Sequence, residues 1–344
     1  MKYLVTGGAG FIGSHFIRRW LAAHPADQIV NLDALTYAGS RERLAAVEHE
    51  PRYQFQQGTV CSRDDVRRAL AGCDAVVHLA AETHVDRSIT DGAPFIRTNV
   101  EGAHLLFQEA RAHRIGRLLH VSTDEVYGPV LEGAVDETAP LAPVSPYAAS
   151  KAAGDLLAQA FFKTYGTPVI VARPTNIYGP AQFPEKLIPL GVTNALDGLQ
   201  IPVYGDGRQR RAWLHVTDVC DALACLLERG AAGEVYNIAG GTEQDNLRTV
   251  AQVLAALGLP EERMVFVPDR PGHDRRYAMQ DGKLRSLGWR PRIAFEQGLS
   301  ETVGWYREHE AWWRPLVAKL REDSYHWLDR PARAGAAQPP HALR

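Results

Sequence analysis

The chain has 344 residues, 45% of them hydrophobic, enough to bury a large α/β core beside a smaller second part. Its 38 basic and 40 acidic side chains leave a formal charge of −2, so neither nucleic acid nor an anionic membrane is indicated as a partner. Cys61, Cys73, Cys220 and Cys225 show no CxxC or zinc-type spacing, which predicts reduced packing residues and no metal site. Met1 leads almost at once into a strand and no apolar run reaches the roughly 20 residues of a bilayer span, so a cytoplasmic protein is expected.

Tyr3-Leu4-Val5 reads as a short apolar strand, followed by a glycine cluster from Gly7 to Gly13 and by Phe11, Ile12, Phe16, Ile17, Trp20 and Leu21 at helical spacing. The alternation continues with strands near 28–32, 53–56, 75–79, 117–122 and 168–173, and helices near 63–70, 95–113 and 147–165. That rhythm predicts a parallel, doubly wound sheet. It breaks over 174–207, a Pro/Gly-rich passage read as one long functional loop. A helix over 216–229 and a strand over 234–239 then return the chain to the sheet. The predicted division is 1–174 with about 208–239 as one domain, and about 175–207 with 240–330 as a smaller, discontinuous α/β domain. Residues 331–344 are predicted to be a disordered tail.

Gly8-Ala9-Gly10-Phe11-Ile12-Gly13 fits GxGxxG between a strand and a helix, where glycines let backbone N–H groups approach a pyrophosphate. Asp33 ends the second strand, twenty residues past Gly13, where a carboxylate accepts both ribose hydroxyls and repels a 2′-phosphate. NAD is therefore favoured over NADP. Tyr147 and Lys151 stand one helical turn apart, so the ammonium is expected to favour phenolate and make Tyr147 a base. Asp124 and Glu125 follow an apolar strand at its C-terminal end, and two adjoining carboxyls there should serve as one acid and one base.

At these residues the chain resembles the extended short-chain dehydrogenase/reductase superfamily, in particular its nucleotide-sugar 4,6-dehydratases. The matching segments run from Met1 to about Tyr306 and include TGGAGFIGSH, LDALTYAG, HLAAETHVDRSI, STDEVYG, SPYAASK, NIYGP, FPEKLIPL and RPGHDRRYA. The resemblance implies a Rossmann-like NAD-binding domain carrying a smaller C-terminal substrate domain. It also implies C4 oxidation by Tyr147 with Thr123 and Lys151, loss of water across C5–C6 by Glu125 and Asp124, and return of hydride to C6.

By the same resemblance Gly7, Gly10, Phe11, Ile12, Gly13, Asp33, Leu35 and Thr36 would hold NAD. Thr59, Val60, Leu79, Ala80, Ala81, Asn99 and Asn176 would complete that site with Tyr147 and Lys151. The nucleoside diphosphate-hexose would be held by Thr83, His84, Asp86, Arg87 and Asn176, by Glu185, Lys186 and Leu187, and by Arg211, Asn246, Arg270 and His273. Thymidine is the base that overall likeness favours, and a homodimer through helices 95–113 and 147–165 is implied. Thr59 for a usual Asp, and Ala34, Ile177 and Ala212, depart from the family pattern. A 4-epimerase, a dehydratase of a different nucleotide sugar, and a non-catalytic NAD-binding protein are the alternatives.

Overall fold

A computed structural model describes residues 1–322; the expected tail over 331–344 lies outside the described residues. In chain order the first half runs β1 (Lys2–Thr6), α1 (Phe11–Ala23), β2 (Gln28–Asp33), β3 (Tyr53–Gln57), α2 (Arg63–Leu70), β4 (Ala75–His78), α3 (Val85–Thr90), α4 (Ala93–Phe95), α5 (Ala103–Ala112), β5 (Arg117–Val121) and α6 (Pro146–Tyr165). There follow β6 (Val169–Pro174), β7 (Asn176–Tyr178), α7 (Leu187–Leu196), β8 (Ile201–Tyr204), β9 (Arg210–His215), α8 (Val216–Arg229), β10 (Val235–Ile238) and β11 (Thr242–Asp245). The chain continues through α9 (Asn246–Leu257), β12 (Met264–Val267), α10 (Gly282–Ser286), α11 (Phe295–Glu308) and α12 (Glu310–Glu322).

Seven strands form one sheet in the order β10-β6-β5-β4-β1-β2-β3, and every pairing in it is parallel. The order reverses between β1 and β4, which opens a crevice at their C-terminal ends. Both faces are covered, as a parallel sheet requires. Neighbours in β1 point opposite ways: Val5 packs with Phe16, Ile17 and Leu223 under α1 and α8, whereas Leu4 packs with Val66, Phe107 and Phe161 under α2, α5 and α6. A third core, with Tyr178, Ile188, Val192, Val250, Phe295, Tyr306 and Trp313, joins α7, α9, α11 and α12.

The segment over 174–207 is not the single long loop expected. It holds β7, α7 and β8; Ile188, Val192 and Ala195 form the buried stripe of α7, and Pro189 lies in its first turn, where a missing N–H costs nothing. The strand expected over 234–239 returns to the large sheet as β10, whereas β9 lies between β7 and β11 in a three-stranded sheet. β8 pairs with β12. The helix read over 95–113 is π-helical from Ile96 to Gly102 before α5 begins. All four cysteines are free thiols, and no described helix is long and apolar enough to cross a membrane.

Candidate active site

The glycine turn fills the crevice mouth between β1 and α1. Gly7 has φ +70°, and a Cβ there would stand 2.6 Å from the Ala80 backbone nitrogen, so only glycine fits. At Gly13 a Cβ would meet the Gly7 carbonyl oxygen at 2.4 Å. Gly10 caps α1 without a side-chain hydrogen bond, which leaves first-turn N–H groups for an anionic ligand. Asp33 accepts from Ala9 N at 2.9 Å and from Leu35 N at 2.8 Å, so it also braces the turn it follows. Burial pushes its carboxyl up, against those two bonds and the charge of Arg43.

Arg43, not singled out by the sequence reading, holds the turn from the other side. Its guanidinium donates to the Ala9, Ala38 and Ala181 carbonyls at 3.1, 2.7 and 2.9 Å. Leu35 follows Asp33 at φ +51°, while Thr36 stands exposed beyond it. Val60 is buried, and Thr59 closes a turn by accepting from Cys61 N at 3.2 Å. Leu79, Ala80 and Ala81 line the exit of β4, half-buried. Asn99 gives both amide protons away, to Glu82 O at 3.0 Å and Ser150 Oγ at 2.9 Å, and accepts from Glu82 N at 2.9 Å. Its place is therefore that of a brace between the β4 exit and α6 rather than a donor to a ligand. The close glycine backbone, helix N-terminus and terminal carboxylate together fit a dinucleotide with a free 2′-hydroxyl.

At the end of β5, Thr123 begins a 3-10 turn over Asp124–Tyr127 that places Asp124 and Glu125 beside α6. Ser145 caps α6 through Ala148 N and Pro146 occupies its first turn, so Tyr147 and Lys151 come from a firmly started helix. Asp124 is buried and its carboxyl is raised to about 7, by burial first and the Glu125 charge second, against Arg211. Burial raises Glu125 too, opposed by Arg270, Lys186 and Arg211. Tyr147 shares a hydrogen bond with Thr123, and burial, then the Glu125 charge, push its phenol up. This reverses the expected lowering by Lys151, whose Nζ donates to Val121 O at 2.7 Å and is itself held at about 8 by burial, with Asp155 opposing. Asp155, on the same face of α6, is bonded by Arg173 Nε at 2.8 Å and was not foreseen.

The opposite wall combines the chain after β4 with segments that follow β7. Glu185 accepts from Tyr37 at 3.2 Å, with His84 at 3.9 Å and Arg87 at 4.0 Å, and burial raises its carboxyl to about 7 despite Lys186. Lys186 donates to the carbonyl of exposed Thr83 at 2.9 Å and caps α7 ahead of Leu187. Asp86, expected to face the sugar, instead accepts from Arg270 at 2.8 Å and Tyr204 at 3.1 Å. His273 is bonded to Asp269 at 2.6 Å, and Arg211 donates to Asp274 O at 2.9 Å over the Tyr277 ring. Asn176 Oδ1, Asn246 Oδ1 and Arg270 Nε are buried without a hydrogen-bond partner, so donors and acceptors for a polar ligand remain on this wall. Among the described residues no cluster of His, Cys, Asp and Glu is arranged to hold a metal ion.

A doubly wound sheet with a glycine turn at its crevice, and a Tyr-xxx-Lys helix facing paired carboxyls, defines an extended short-chain dehydrogenase/reductase. Within that superfamily the chain belongs to the GDP-mannose 4,6 dehydratase family, which it matches over residues 4–302. It is 54% identical to a dTDP-glucose 4,6-dehydratase of Streptomyces niveus over 92% of this chain and 96% of the relative. A crystal structure of DesIV, a dTDP-glucose 4,6-dehydratase of Streptomyces venezuelae with NAD and dTDP bound, is similar at TM-score 0.90 and 51% identity, covering 92% of this chain and 100% of that one. A UDP-glucose 4-epimerase of Thermus thermophilus in complex with NAD is similar at TM-score 0.82 and 31% identity, over 90% and 100% of the two chains.

Proposed function

We infer that the protein is an NAD-dependent hydro-lyase converting dTDP-glucose to dTDP-4-keto-6-deoxyglucose. The observation that carries this reading is the buried Asp124–Glu125 pair beside Tyr147, in a chain about half identical to dTDP-glucose 4,6-dehydratases. An epimerase shares the oxidation but has no use for that pair. NAD, when bound, supplies the acceptor for the C4 hydrogen and gives it back at C6.

The chain's own residues do the proton work. Tyr147, steadied by Thr123, takes the proton of the C4 hydroxyl as a phenolate, the form that the Lys151 ammonium one helical turn away and the positive charge of NAD⁺, when bound, would favour against the burial that raises it. The resulting ketone acidifies the C5 hydrogen. Glu125 removes it while Asp124, protonated near neutral pH, hands its proton to the C6 hydroxyl, which departs as water. Glu125 then returns its proton to C5, Asp124 is reprotonated from solvent, and Tyr147 releases the proton it took. Asp33 receives the adenosine ribose, and Arg211 and Arg270 receive the diphosphate. The assignment is tested by incubation with dTDP-glucose: a 4-keto-6-deoxy product supports it, and a 4-epimer contradicts it.

The lobe built from 175–207 and the chain after 240 is read as the part that grips the nucleotide sugar, in the cytoplasm. A homodimer is read from Ile96 on the π-helical turn and Leu156 and Tyr165 on α6, which are 48%, 58% and 50% exposed.

A further inference from the structure

Thr175 joins β6 to β7, beside the 3-10 turn that carries the paired carboxyls, and is 5% exposed. Its Oγ1 lies 3.3 Å from Asp124 Oδ2 and 3.1 Å from the Ala212 carbonyl oxygen on β9. A hydroxyl has one proton, so it serves one of these two acceptors at a time. While Asp124 is neutral its Oδ2 is an acceptor much like the Ala212 carbonyl, and the hydroxyl divides itself between them. As Asp124 gives up its proton the carboxylate becomes the stronger acceptor, and the hydroxyl turns fully to it. The bond is then strongest where charge has developed, and only such an interaction speeds a chemical step.

We propose that Thr175 is a positioning residue for the elimination, which orients the Asp124 carboxyl through Oδ2 and stabilises the carboxylate left when its proton passes to the substrate. This rests on the reading of Asp124 as the acid. The charged and titratable groups facing Asp124 are Glu125 on the same turn, Arg211 on β9 and Tyr147 on α6. None of them is altered by changing Thr175.

Thr175→Val removes the donor at nearly constant volume, and Thr175→Ala does so without crowding if valine disturbs folding. Both are expected to lower kcat about tenfold and to move the alkaline limb of its pH profile up by about one unit, since a carboxylate deprived of a donor holds its proton longer. NAD affinity, measured by fluorescence titration, should stay at the wild-type value. Thr175→Ser should restore both rate and limb. A limb that stays in place or moves down in the valine and alanine variants, or a serine variant as impaired as they are, overturns the inference. Asp124→Asn separates the two levels. If it turns over like wild type with the same limb, the reading of Asp124 falls and the inference with it; if it blocks elimination while the Thr175 variants keep the wild-type limb, the inference alone falls.

Discussion

Asp124 and Glu125 are neighbours in sequence with different surroundings: the cation opposing Asp124 is Arg211, whereas Glu125 faces Arg270, Lys186 and Arg211. That difference leaves Asp124 the proton donor, at about 7. Activity that needs protonated Asp124 should therefore decline as pH rises through about 7, read as the alkaline limb of kcat. Glu125→Gln should bind NAD normally and still oxidise C4 in a single turnover, yet lose dehydration by roughly 10²–10⁴-fold, measured as reduced nicotinamide that persists without product. The same burial has a cost in stability. Asp124 and Glu185 are both raised to about 7, above an unfolded value of about 4. The stability they contribute is full below about pH 4 and is lost as pH rises through about 7, because only the unfolded chain ionises freely. Asp124→Asn should accordingly raise Tm by a few degrees at about pH 8 and by little at about pH 4, read by calorimetry. The pair itself was legible from its place after an apolar strand. Which of the two is acid and which base came from the resemblance alone, because the difference depends on Arg211 and Arg270, which come from other elements.

The glycine turn, the strand-helix alternation and α6 could be read from the sequence because each carries a local signal: a spacing, a cap or a period. Gly13 is the sharpest instance. Gly13→Ala would place a methyl 2.4 Å from the Gly7 carbonyl, a backbone atom that cannot swing aside. The variant should lose NAD binding at least tenfold in a fluorescence titration, with a loss of stability on the order of 1–3 kcal/mol in denaturant unfolding. The segment over 174–207 was misread for the opposite reason. Its prolines and glycines suggest turns, while the buried stripe of α7 is too short to stand out, and the partners of β7 and β8 lie in β9 and β12, far along the chain. Arg43 drew no notice in the sequence and Asn99 was placed only by resemblance, because the backbone groups they bond are brought to them from the glycine turn and the exit of β4.

Across the whole molecule, polar contacts placed around the site tie the chain before residue 174 to the chain after it: Asp86 with Arg270 and Tyr204, Tyr37 with Glu185, and Lys186 with the Thr83 carbonyl. The resemblance assigned most of these residues to ligand, and they are also bonded to one another across the site. The proposed homodimer is tested at the same scale through the exposed side chains of Ile96 and Leu156. The double substitution Ile96→Glu and Leu156→Glu should shift the protein toward monomer in sedimentation velocity, leaving the glycine turn intact. The account as a whole depends on a hydrogen that leaves C4 and comes back to the same molecule at C6. dTDP-glucose deuterated at C4, turned over in ordinary water, should give a 4-keto-6-deoxy product with the deuterium at C6. Deuterium lost to solvent, or a 4-epimer that keeps its C6 hydroxyl, would contradict it.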